Sequence, residues 1–257
     1  MTLRIAVAGA AGRLGGLIAA RVAAAPDLAL AARIVRPGTA DGDSTDDVAT
    51  ALASADLLIE ATRGGAVAAL AAAAAARGIP FISGTTGLDD ADRAALDAAA
   101  KLVPVLHASN FATLALVLAA TVERLARLLP PDAWDIEIVE MHHRGKEDAP
   151  SGTALDLARA AARGRGIVLE GNLDVARHGR TGARRQGAIG IASVRGGGGV
   201  GETSIGFAGD SGHLWLTSRT FDRGGYAEGA LRAARFLAGR QAGRYSMAQV
   251  LGLDREA

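Results

Sequence analysis

The 257-residue chain has no cysteine, so neither disulfides nor thiolate-bound metal can hold its fold, and nothing in it depends on an oxidising compartment. It has almost no net charge. Twenty-eight lysines and arginines stand against 27 aspartates and glutamates, which leaves no broad basic footprint for nucleic acid or an anionic membrane. It also lacks a long apolar run: the alanine-rich segment after Gly65 and the stretch Leu114 to Val122 fall short of the roughly 18 to 20 residues that cross a bilayer. Abundant alanine raises the mean hydropathy without implying a membrane. The opening MTLRIAVAGAAG places Arg4 before a short apolar run, but it reads as a strand entering a glycine turn, not as a signal peptide. A soluble, cytoplasmic protein is expected, with no nucleic-acid or membrane partner. The length allows a substantial core and suggests two domains.

What is present follows the pattern of a dinucleotide-binding half. RIAVAGA, a glycine turn, LGGLIAARVAAA and LALAARIV form a βαβ unit that ends at Arg36-Pro37-Gly38. DLLIEAT, PFISGTTG and VPVLHAS then read as third, fourth and fifth strands, with helices near Val67 to Arg77 and Asp89 to Ala100 between them. This alternation predicts a Rossmann-like, doubly wound parallel sheet over residues 1–111. The character changes after Asn110. A long helix from Ala112 to Leu129 stops at Pro130-Pro131, WDIEIVEM alternates as a strand, and a helix starts at Thr153. GAIGIASVRG, ETSIGFAG and HLWLTSRTF follow as strands between glycine-rich turns, Gly196 to Gly199 among them. Residues 112–223 are expected to form an α+β substrate-binding and oligomerisation domain, with an open mixed sheet, mostly antiparallel, and helices on one side. A helix from Tyr226 to Gly239 opens the segment 224–257, which is expected to complete the first domain.

In the turn Gly9-Ala10-Ala11-Gly12-Arg13-Leu14, and on to Gly15, backbone N–H groups at a helix start suit a pyrophosphate. The spacing is G-x-x-G-x-x-G, less diagnostic than G-x-G-x-x-G, and a merely tight turn is the competing reading. The second strand ends Ile34-Val35-Arg36 with no carboxylate for the adenosine ribose. Arg36, helped by Arg13, can instead meet a 2′-phosphate, so NADPH is expected to be preferred, with NADH admitted. The alternative is that Arg36 is only a solvated surface charge. Gly84-Thr85-Thr86 follows the fourth strand and Ala108-Ser109-Asn110-Phe111 the fifth, both at carboxyl ends of a parallel sheet, where ligands bind.

The richest stretch is EMHHRGKEDAPSGTALDLA, Glu140 to Ala158. His142 and His143 leave a strand, Lys146 follows, and Ser151-Gly152-Thr153 enters a helix. A histidine beside a lysine offers a proton and positive charge, and a helix entry with two hydroxyls suits a carboxylate. An anionic small molecule that accepts a proton fits this combination. Taken singly, the histidines can be strand-end residues, Lys146 a solvated charge, and Ser151 or Thr153 a helix cap. No metal is expected, because adjacent strand histidines point to opposite faces and no third ligand is evident.

AGAAGRLG, SGTTG, ASNF and HHRGKEDAPSGTA are similar, in order and spacing, to the segments that mark the 4-hydroxy-tetrahydrodipicolinate (dihydrodipicolinate) reductase family of lysine and diaminopimelate biosynthesis. The resemblance runs on through SVRGG before GE and into the C-terminal helix and tail. It implies an oxidoreductase in which His142 is the acid and Lys146 its catalytic partner. His143, Ser151, Gly152 and Thr153 would hold the carboxylates of a small dicarboxylate substrate. It also implies a homotetramer built through the second-domain sheet. In such a reaction, hydride addition to a conjugated cyclic imine leaves an electron-rich enamine that an imidazolium can protonate while an ammonium stabilises charge. The resemblance further implies a pocket that closes over the cofactor domain.

Several positions depart from the family pattern. Thr203 and Ser218 stand where histidines are common, Glu60-Ala61-Thr62-Arg63 replaces an Asp-Phe-Thr type run, and Val35 replaces an acid. Two other readings stay open on sequence alone: a dehydrogenase of another small amino or imino dicarboxylate, and a non-catalytic NADP(H)-binding sensor.

Overall fold

The computed structural model describes residues 2–175 and 177–254. Its elements run in chain order β1 (Leu3–Ala8), α1 (Arg13–Ala24), β2 (Leu28–Ile34), β3 (Ser44–Thr45), α2 (Val48–Ala53), β4 (Leu57–Glu60), α3 (Val67–Ala76), β5 (Phe81–Ser83), α4 (Asp90–Ala100) and β6 (Pro104–His107). Then follow α5 (Thr113–Leu128), β7 (Asp135–His142), α6 (Gly152–Arg165), β8 (Leu173–Asp174), β9 (Ile189–Arg195), β10 (Gly201–Gly209) and β11 (Gly212–Thr220). The chain finishes with α7 (Gly224–Leu237), β12 (Gly243–Tyr245) and α8 (Met247–Leu251). Two compact units result: the described parts of Met1–Thr113 and Arg223–Ala257, and Leu114–Asp222. Among the described residues no helix is long and apolar enough to cross a membrane.

The first unit is a seven-stranded sheet in the order β12-β6-β5-β4-β1-β2-β3, parallel at every pairing. The doubly wound α/β fold is as expected. The strand order reverses between β1 and β4, whose last residues pair as Ala8 and Glu60. Ligands of such sheets bind outside the carboxyl ends of the strands at this reversal. α1 forms because Gly15, Ile18, Ala19 and Val22 recur on one stripe, which the fold buries. α7 packs against α1, Arg21 of α1 pairs with Glu228 of α7 at 3.1 Å, and Arg235 of α7 pairs with Asp27 in the turn after α1 at 2.7 Å. The short elements β3, α2 and β12 are additions that the hydrophobic pattern does not announce.

The second unit is a five-stranded sheet in the order β11-β10-β7-β9-β8. β10 pairs antiparallel with β11 and β7, but β7–β9 and β8–β9 are parallel, so the sheet is half parallel where a mostly antiparallel one is expected. The reason lies in the connection. After β7 the chain passes through α6 before returning as β9, and a crossover of that length brings a strand back in the same direction. α5 and α6 supply Leu118, Val122, Leu157 and Ala161 to a core on one face of this sheet.

The register of that covered face locates the site. Phe207, Ile136 and Ile189 form one buried row across β10, β7 and β9, and Ile205, Ile138 and Ile191 form the next. Each such side chain contributes about 1.5–3 kcal/mol on burial. Two residues further along, the row becomes polar: Ser218, Thr203, Glu140 and Ser193 stand opposite one another. His142 and Arg195 follow as a register pair. The sheet therefore turns from core to polar surface at the strand ends.

Candidate active site

In the first unit the expected cofactor residues lie just past the carboxyl ends of β1, β2, β5 and β6. Gly9 has φ of +79°, and a Cβ there would stand 2.4 Å from the carbonyl oxygen of Ala61, so only glycine lets the turn after β1 lie against the end of β4. A Cβ on Gly15 would stand 2.1 Å from the Gly9 oxygen, so α1 can start this close to the turn only with glycine there. Gly12 is the N-cap of α1 and offers no side chain to the first turn. The N–H groups of a first helical turn have no intrahelical acceptor and attract an anion. Ala11, Gly12 and Arg13 are exposed at this point, Leu14 is half-buried, and Ala10 is buried.

A carboxylate ties the neighbouring loops together. Glu60 is fully buried and accepts hydrogen bonds from Thr62 N at 2.5 Å, Thr62 Oγ1 at 2.5 Å, Ser83 Oγ at 2.7 Å and Thr85 Oγ1 at 2.5 Å. Gly84 N donates to the Glu60 carbonyl at 2.8 Å and Ala108 N to that of Ser83 at 3.0 Å. The hydroxyl of Thr85 is thus committed inward, while Thr86 is exposed. Phe111 is buried, with its ring against Gly84 and its backbone against Gly229 of α7. Asn110 accepts from Ala112 N at 2.8 Å, and Ser109 is exposed. Arg36 lies exposed just past β2. Arg4 and Arg33 pair with Asp56 and Asp43, but among the described residues neither Arg36 nor Arg13 has an acidic partner. The open donors at the start of α1 fit the pyrophosphate of a dinucleotide.

In the second unit the centre is Glu140, fully buried at the end of β7. Its Oε2 accepts from Nδ1 of His142 and from Arg195 Nη1 at 3.0 Å. Oε1 accepts from Arg195 Nη2 at 2.9 Å and from the backbone N of Ser151 at 3.3 Å. Burial alone would raise this carboxyl, but hydrogen bonds from Arg195, Ser193 and His142 outweigh it and hold the group below its ordinary value. Arg195 also donates to the carbonyl of Asp148 at 2.6 Å, which fastens the loop between β7 and α6.

Other expected residues take definite places around this centre. Lys146, its side chain 20% exposed, binds both oxygens of Asp148 at 2.8 and 2.9 Å, and this hydrogen bonding lowers the Asp148 carboxyl. His143 lies just beyond β7, and its carbonyl accepts from Lys146 N at 3.0 Å in the turn that follows. Ser151 is buried and caps α6 by accepting from Ala154 N at 3.2 Å, so its hydroxyl does what the cap reading expects. Gly152 and Thr153 supply the first-turn donors of α6. Gly201 lies against the imidazole of His142.

Sequence profiles of the dihydrodipicolinate reductase N-terminus and C-terminus match residues 3–111 and 115–251. The chain is 43% identical over 257 residues to a protein of Granulibacter bethesdensis named 4-hydroxy-tetrahydrodipicolinate reductase, covering 98% of each. The chain belongs to the dihydrodipicolinate reductase family. Proteins of the same name from Caulobacter vibrioides and Acidiphilium cryptum are 44% and 45% identical, again with 98% of each chain covered. Among solved structures, a dipicolinate-bound dihydrodipicolinate reductase from Paenisporosarcina sp. TG-14 has the same fold, with a TM-score of 0.80, 22% identity, and coverage of 97% and 99%. GenD2 from gentamicin A biosynthesis, solved with NAD, is a more distant fold relative, with a TM-score of 0.57, 16% identity, and coverage of 98% and 91%.

Thr203 and Ser218, expected from the resemblance to stand in place of histidines, face each other across β10 and β11, in the polar row with Glu140. Glu60 and Glu140 are the residues that the reading for chemistry misses. Glu60 ends the apolar strand β4, and Glu140, two residues before the end of the alternating strand β7, shares the inward parity of Ile136 and Ile138, which is the signal that identifies it.

Proposed function

We propose that this chain reduces 4-hydroxy-tetrahydrodipicolinate to tetrahydrodipicolinate in the diaminopimelate and lysine pathway, with NADPH preferred and NADH admitted. The hydroxyl leaves as water together with a hydrogen from the adjacent ring carbon, which gives the conjugated cyclic imine, and one hydride and one proton then enter that ring. The reduced nicotinamide, when bound, supplies the hydride. The chain's residues do the rest. Donors at the start of α1 and the loops fastened by Glu60 orient the dinucleotide, and Arg36 and Arg13 hold its 2′-phosphate. His143, Ser151, Gly152 and Thr153 bind the two carboxylates of the cyclic substrate, at the entry of α6. His142 gives the proton, and the ammonium of Lys146 stabilises charge that develops on the ring.

The observation that carries this reading is the row at the end of β7, where a histidine bonded to a buried carboxylate adjoins the first turn of α6 through Ser151. A proton donor and a carboxylate cradle share one anchor, as an anionic substrate that is protonated during reduction requires. The outer face of the same sheet exposes Val139, Met141, Val194 and Trp215, an apolar surface that supports self-association, and we assign a homotetramer. Function is tested by adding the freshly made product of aldehyde–pyruvate condensation to the protein with NADPH and following absorbance of the reduced nicotinamide. Loss of absorbance is expected. Tight cofactor binding without turnover would overturn the assignment.

A further inference from the structure

Glu140 makes more bonds than stability alone requires. A buried ion pair such as Glu140 with Arg195 is by itself weak evidence of stabilisation, since apolar residues of similar volume serve as well. The distribution of its bonds is more informative. Each carboxylate oxygen carries one nitrogen of Arg195 and one further group, Nδ1 of His142 on Oε2 and the Ser151 N–H on Oε1. The guanidinium fixes the plane of the carboxylate, which leaves two directed acceptor positions, one for the imidazole and one for the start of α6.

We infer that Glu140 is a positioning residue that confines proton exchange at His142 to Nε2 and sets that imidazole in register with the carboxylate-binding entry of α6. The logic is one of hydrogen inventory. An ionised carboxylate only accepts, so the imidazole nitrogen facing it has to carry hydrogen in both charge states of the ring. Nδ1 is that nitrogen. The proton given up during a reaction then comes from Nε2, and the neutral ring that remains has hydrogen on Nδ1. Hydrogen bonds from Arg195 favour the ionised form of Glu140 despite its burial. Gly201 completes the arrangement on the other side of the ring, since a Cβ there would stand 2.6 Å from Nε2 and 2.9 Å from Cδ2. A third group orienting an acid–base imidazole is a recurring device in catalysis, and its loss costs rate more than binding.

The inference rests on the proposed reduction for its consequence in turnover, but not for its geometry. In protein labelled with 15N at histidine, long-range imidazole correlations read the tautomer of neutral His142 directly. The expected result is hydrogen on Nδ1 and none on Nε2. A neutral ring with hydrogen on Nε2 would overturn the inference, whatever the behaviour of any variant.

Glu140→Gln supplies the second measurement. The Ser151 N–H, a fixed donor, holds the amide oxygen at the Oε1 position, which turns the amide NH2 toward Nδ1 and favours the opposite tautomer. In the folded variant kcat should fall by about tenfold or more, while KM for the cyclic substrate and for NADPH stays within about threefold. Unchanged kcat, or a rise in KM alone, also counts against the assignment. Failure of the unsubstituted protein to turn over the cyclic substrate would instead sink the proposed function, and the tautomer measurement, which needs no substrate, still decides the role of Glu140.

Discussion

The imidazole of His142 lies so close to Gly201 that a methyl group on that glycine would stand 2.6 Å from Nε2. The absence of a side chain on β10 thus sets the depth to which the ring settles. Gly201→Ala should push the ring off its bond to Glu140 and lower kcat by roughly 10-fold to 100-fold, the range that a displacement of about 1 Å produces at a reacting centre. Steady-state kinetics with a crystal structure of the variant checks this. An undisturbed ring and normal kcat would show that the contact is accommodated elsewhere.

Substitution of the proposed acid and its partner gives the most direct test of the chemistry. His142→Gln and Lys146→Ala are each expected to cut kcat by roughly 100-fold or more, with cofactor affinity little changed. In the structure Lys146 is bound to Asp148, so Asp148→Asn should instead leave the ammonium more loosely held and have a smaller effect. Near-normal turnover in both the His142 and Lys146 variants would remove them from the mechanism.

The proposed preference for NADPH rests on Arg36 and Arg13, two exposed residues without acidic partners among the described residues. Arg36→Ala should lower kcat/KM for NADPH by about tenfold, equivalent to one lost charge-assisted hydrogen bond, and leave the value for NADH nearly unchanged. Arg13→Ala should do the same to a lesser degree. If both cofactors lose equally, the 2′-phosphate is not what these residues read.

Acid stability follows from Glu140. Its carboxyl is held below its ordinary value in the folded protein, so the folded state binds protons at this group less readily than the unfolded chain. The resulting stabilisation is fully present above the unfolded carboxyl value of about 4.3 and is lost as pH falls through the lower folded value. The difference in Tm between the unsubstituted protein and Glu140→Gln should therefore be largest near neutrality and shrink below about pH 4. A difference that stays constant across the titration would mean that Glu140 is not ionised in the fold.

Much of this arrangement is legible in the sequence where local pattern decides it. The Gly9 turn, the stripe on α1 and the alternation of Ile136 and Ile138 each carry their structure in a short window, and the parallel sheet follows from strand–helix alternation. Three kinds of feature escape. Two- and three-residue strands such as β3, β8 and β12 are too short for a hydrophobic period. The parallel return of β9 depends on which neighbour it finds, and GAIGIASVRG reads the same beside either. Arg195 lies 55 residues from Glu140, so only the fold shows that the two meet. Ser151 shows a different limit, because a cap and a ligand-binding hydroxyl favour the same residue at a helix start, and its bond to Ala154 N is what identifies the cap.

The division of the chain has a consequence for biosynthesis. Residues 114–222 form their own unit and interrupt the first in sequence, so the first is completed by α7, β12 and α8 from the segment that follows. On the ribosome the early strands emerge well before the helix that packs on α1 and the strand that closes the sheet beside β6. The inserted unit holds all the strands of its own sheet and is able to mature while its host waits. A released polypeptide that ends at Asp222 should therefore present a protease-resistant inner fragment flanked by a digestible amino-terminal portion, reversing the usual order in which the first-made part folds first.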